Sequence, residues 1–189
     1  KLIMETDFPV TNNVKLIINE SGSFNKDICI RYPSWVEEGG IAITINGAKQ
    51  KISAKPGEII KLSSSWAAGD EILITIPCKL RLVDLPDDIN VSAIFYGPVL
   101  LAANMGEVGQ SDIGFSWPQE EIKDPAPDAY FPSLMGSRKA LESWIIKKEG
   151  TLNFTTTGLG KNYEMQPFYD THHCRYNVYW KIGDGIDLQ

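Results

Sequence analysis

The 189-residue sequence is poor in the side chains that most often carry chemistry, with three cysteines and two histidines. No two cysteines stand at C-x-x-C spacing, which removes a dense disulfide framework and any short-range thiolate pair for a metal. Cationic side chains are also in the minority. Eighteen Lys and Arg face 24 Asp and Glu, for a net charge of −6. Such a chain lacks the Lys/Arg excess that neutralises phosphates, so no nucleic-acid partner is expected. No apolar run approaches the ~20 residues of a membrane span, so no membrane partner is expected either. Glycine-rich phosphate loops and a G-x-S-x-G elbow are missing too. Lys1-Leu2-Ile3-Met4-Glu5 carries no initiator Met and no basic-then-apolar leader. It reads as a strand entered midway, and the chain is expected to be a piece whose N-terminal neighbour is missing.

What is present is β-pattern. Hydrophobic residues make up 43% of the chain, which fits a packed globule. Residues 14–19, 27–32 and 59–62 are short apolar runs. Ile41-Ala42-Ile43-Thr44-Ile45 and Glu71 to Ile76 alternate with period two, as half-buried strands do. Asn46-Gly47 is a strong hairpin signal and predicts a return strand near Lys49 to Ser53. Val91 to Ala103 is nearly continuous in apolar residues, broken at Gly97-Pro98, which suits a strand buried on both faces with a kink. Prolines at 118, 125, 127 and 132 and glycines at 106, 109, 114 and 136 interrupt the next stretch. After it, Ser137 to Glu142 fits one helical turn, and residues 144–147, 152–157 and 174–182 fit strands.

The expected fold is therefore all-β: a jelly-roll-like β-sandwich over 1–105, a linker or crossover over 106–136, and a smaller C-terminal β-unit over 137–189. The alternative is that the later strands join the first sheet and make one domain.

Several segments together resemble glycoside hydrolase family 127, the β-L-arabinofuranosidase-type enzymes, in the region after the catalytic domain. They are Glu5-Thr6-Asp7-Phe8-Pro9, Ile30-Arg31-Tyr32-Pro33-Ser34-Trp35, Ile45-Asn46-Gly47, Trp66-Ala67-Ala68-Gly69-Asp70 and Tyr96-Gly97-Pro98-Val99-Leu100-Leu101-Ala102. Gln166-Pro167-Phe168-Tyr169-Asp170-Thr171-His172 and Arg175-Tyr176-Asn177-Val178-Tyr179-Trp180 are similar to the ending of a subset of the family. The resemblance implies that an α/α barrel precedes this region and holds a cysteine nucleophile beside a zinc bound by cysteines and a glutamate. No position here matches those motifs, so no catalytic residue is carried over and no cofactor is expected in this chain. The implied zinc belongs to the barrel. The implied partners are that N-terminal catalytic domain of the same chain and a plant-type oligosaccharide.

The remaining candidates each have a plainer alternative. Cys29, Cys78 and Cys174 are widely separated and read as small buried core residues. His172-His173, between Asp170 and Arg175, reads as a structural hub, or as a ligand contact made by His172, Arg175 and Tyr176. Asp84, Asp87 and Asp88, and Glu120-Glu121, are the paired carboxylates a glycosidase would use, yet loops of solvated charge have the same appearance. Asp184-Gly185-Ile186-Asp187 offers too few oxygens for calcium. Among five Trp residues, Trp35 and Trp117 fit exposed sugar or interdomain contacts, and Trp66 and Trp180 fit the core. Two readings follow. The chain is a non-catalytic region bracing a glycosidase barrel and shaping its substrate cleft, or it is a self-standing carbohydrate-binding module that loses affinity on Trp35→Ala or Trp117→Ala.

Overall fold

A computed structural model describes residues 1–19, 22–105, 133–158, 161–172 and 174–183. The fold is all-β, with two single 3-10 turns among the described residues, at Leu141–Ser143 and Phe168–Asp170. The chain divides into two compact units, Lys1–Lys79 and Leu80–Gln189.

The first unit is a two-layered sandwich. Its larger layer is antiparallel: β1 (Leu2–Thr6), β2 (Asn13–Ile18), β7 (Glu71–Thr75), β4 (Ala42–Ile45) and β5 (Ala48–Lys49), in that order. The smaller layer pairs β3 (Phe24–Arg31) with β6 (Ile59–Trp66) over eight residues. Alternation decides which side chains meet between them. Ile72 and Ile74 of β7, Leu16 and Ile18 of β2 and Ile43 of β4 are buried against Ile60, Leu62 and Trp66 of β6. The Trp66 indole is fully buried, and its N–H donates to the Lys26 carbonyl at 2.7 Å, so the ring is buried without an orphaned donor. Asn46 and Gly47 take φ of 49° and 79°, the left-handed pair that closes a two-residue hairpin. The return strand is shorter than the sequence predicts, ending at Lys49.

The layers differ in width. Leu2 and Met4 lie opposite Ile18 and Leu16 and so share their face of the sheet. Ile18 and Leu16 are covered, whereas Leu2 is 49% and Met4 64% exposed. The apolar face of the five-stranded layer therefore runs on past the two strands that cover it.

The second unit centres on β9 (Val91–Tyr96) and β10 (Val99–Asn104), joined at Gly97-Pro98 with Gly97 at φ 54°. These strands pair only near their turn, Tyr96 with Val99 and Phe95 with Leu100. Further along, β9 pairs with β16 (Tyr179–Gly183), and β10 pairs with β15 (Tyr176–Asn177). β8 (Leu80–Asp84) also lies on β9. β14 (Glu164–Pro167) lies on β10, followed by β13 (Phe154–Thr156) and β12 (Ile145–Lys147). β11 (Ser133–Met135) runs parallel to β16. Val91 to Ile94 are buried at every position, as a central strand requires, and Trp180 is fully buried.

The boundary thus differs from the one read at residue 105. Strands β9 and β10 pair with segments beyond residue 133, and β8 pairs with β9. Most of the expected linker, residues 106–132, lies outside the described residues; residues 133–135 form β11. The expected helical turn at Ser137 to Glu142 is a 3-10 turn at Leu141–Ser143. The expected last strand, 174–182, divides into β15 and β16 at Val178.

Candidate functional site

Trp35 belongs to the loop after β3. Pro33 ends that strand because it has no N–H for the ladder. The Val36 N–H then donates to the Pro33 carbonyl at 3.2 Å. The loop is pinned by Tyr32, whose buried hydroxyl donates to the Glu37 carbonyl at 2.7 Å and accepts from the Gly40 N–H at 3.1 Å. Trp35 is half-buried, stacks on Phe8 with centroids 6.4 Å apart and planes 23° apart, and packs on the core. Its ring is spent largely on packing.

His172, Arg175 and Tyr176 fall in the short segment between the second 3-10 turn and the end of β15. His172 is exposed. Arg175 is half-buried, and its carbonyl accepts from Met105 N at 2.8 Å, extending the β10–β15 pairing by one step. Tyr176 does something the sequence did not disclose. Its ring meets Phe168 edge-on, with centroids 5.2 Å apart and planes 65° apart. Phe168 is a partner that the sequence reading did not single out. Its signal was present in the Phe168-Tyr169 pair, but only the pairing of β14 and β15 to one strand brings it to Tyr176. Trp117 and His173 lie outside the described residues, as do Glu120, Glu121, Asp184 and Asp187.

The other chemical candidates separate. Cys78 and Cys174 are buried, as read from the sequence; Cys29 is exposed on the outer face of β3, opposite Lys61. The correction follows from the pleat: Ile28 and Ile30 take the inward positions and leave Cys29 outside. The three thiols sit on different strands or loops, and among the described residues no three His, Cys, Asp or Glu side chains converge as a metal site. Asp84 is not a loop carboxylate. It ends β8, accepts from the buried Ser92 hydroxyl at 2.6 Å, and pairs with Arg138. The Ser92 hydrogen bond, with help from Arg138, holds its carboxyl below the ordinary range. An acid held ionised by such partners is suited to fixing structure and not to donating a proton.

The comparisons with known proteins agree with the fold. Residues 1–78 match the family model of the β-L-arabinofuranosidase middle domain of glycoside hydrolase family 127. Residues 81–182 match a model described as a domain of unknown function. The first unit thus carries a family 127 middle domain, and the two models meet where the chain's two units meet. Three solved structures share the fold. A family 127 β-L-arabinofuranosidase from Geobacillus stearothermophilus T6 has a TM-score of 0.63 at 17% identity. A protein described as a glycoside hydrolase has 0.61 at 18%, and a family 127 β-arabinofuranosidase 0.59 at 16%. Each similarity covers 96% of this chain but only 30–32% of the other. The chain thus spans about a third of the length of these structures. No curated protein matches the sequence.

Proposed function

We propose that this family 127 region is non-catalytic: it braces an α/α-barrel catalytic domain of the same protein and shapes one wall of its substrate cleft. The uncovered apolar face at β1 carries the reading. Leu2 and Met4 extend the core face of the sandwich into solvent, and burying such a side chain is worth about 1.5–3 kcal/mol. A neighbouring domain is the natural cover, and the solved relatives of this fold are about three times as long. The parent would cleave terminal L-arabinofuranose by a retaining mechanism, with this chain supplying support.

The reading is tested in the parent protein. The coding sequence upstream of Lys1 should encode several hundred residues of helical repeats. In that full protein, Leu2→Ser with Met4→Ser should lower the melting temperature of the barrel, while the 189-residue chain carrying the same changes melts nearly as before. An upstream sequence without such repeats, or a barrel indifferent to the double substitution, would overturn the proposal.

A further inference from the structure

Phe168 and Tyr176 are 40% and 51% exposed. Among the described residues they are the only ring pair in which both partners are exposed; Phe154 and Trp180 of the same unit, each in contact with a tyrosine, are fully buried.

Both rings are held by the backbone. Pro167, next to Phe168, pairs with Leu101 of β10, and Tyr176 pairs with Asn104 of that same strand. The turn carrying Phe168 is closed from several directions. The Thr171 N–H donates to the Phe168 carbonyl at 3.0 Å, the Thr171 hydroxyl to the Pro167 carbonyl at 3.1 Å, and the Gln166 amide to the Asp170 carbonyl at 3.0 Å. The edge-to-face contact then fixes each ring against the other and leaves ring surface in water. A rigid exposed ring loses little entropy on meeting a ligand.

We propose that this pair is a stacking platform for a single sugar ring, which lays its apolar C–H face on the aromatic surface. The inference rests on the assignment of the chain to a glycosidase and adds a subsite to it. The partner is a sugar and not a protein because two side chains offer far less than the roughly 800 Å² a stable protein interface takes from each partner. Hydroxyl partners stand in the same segment: Asp170 and His172 are exposed, and so is Tyr169. Partial burial and the neighbouring Asp170 push the Tyr169 phenol above its ordinary pKa, so it keeps its donor at neutral pH.

The test is a titration of the 189-residue chain with arabinofuranosyl oligosaccharides, followed by calorimetry and NMR. Saturable binding is expected, with shifts confined to residues near 166–177. Phe168→Ala and Tyr176→Ala should each weaken it about tenfold. Tyr176→Phe keeps the ring and should stay within about twofold, and Trp35→Ala should leave binding unchanged. An absence of saturable binding, or binding that survives both alanine variants, overturns the platform. Either result leaves the bracing proposal standing, because that proposal is judged by the melting of the barrel.

Discussion

The indole of Trp144 lies directly over Gly136: a Cβ placed on that glycine would sit 2.4 Å from ring carbons. Trp144 cannot swing aside, since it is buried and its N–H donates to the Ser137 carbonyl at 3.0 Å. Gly136→Ala should therefore destabilise the second unit by about 3 kcal/mol, at the upper end of overpacking costs. Urea denaturation followed by Trp fluorescence would show it. A variant with an unchanged midpoint would mean the ring and the glycine are not in contact.

Tyr32 offers a second check, in the first unit. Removing its hydroxyl in Tyr32→Phe deletes two hydrogen bonds of the loop, while the Gly40 N–H keeps its 2.9 Å bond to the Glu37 carbonyl. The expected loss is about 0.5–1.5 kcal/mol. The loop carrying Trp35 should loosen, seen as faster hydrogen exchange at Val36 and Gly40. Exchange equal to the parent chain would remove the pinning role of the hydroxyl.

The Asp84 carboxylate makes stability depend on pH in a defined direction. Its folded pKa lies below the unfolded value, chiefly through the Ser92 hydroxyl and then through Arg138. Its contribution is complete above about pH 3.9 and lost as pH falls through the folded value. The side chain is 44% exposed, so that contribution should not exceed about 1 kcal/mol after solvent screening. Asp84→Asn should therefore melt lower than the parent at pH 6, and the gap should close on acidification. A gap independent of pH would show that the charge plays no part.

Much of the architecture was legible because it is local. Alternating isoleucines at 41–45 and 71–76 predict half-buried strands, and Asn46-Gly47 closes its hairpin with the dihedral angles its residues favour. Trp66 and Trp180 occupy the core as read. The unit boundary was not legible. Nothing within 91–104 announces that its pairing partners lie at 164–167 and 176–181, because a fully buried strand carries no periodicity to mark its neighbours. The Phe168–Tyr176 contact is hidden for the same reason: eight residues separate the rings, and a shared strand brings them together. Cys29 misled because residue type alone favours burial, whereas the pleat of β3 gives the inward positions to its isoleucine neighbours.

In the proposed role the bond-breaking groups lie outside these 189 residues. The 189-residue chain and its full-length parent should be assayed side by side on a β-L-arabinofuranoside with a chromogenic leaving group. The parent should release the sugar, and the chain alone should not exceed the buffer rate. Turnover by the chain alone would contradict a non-catalytic role.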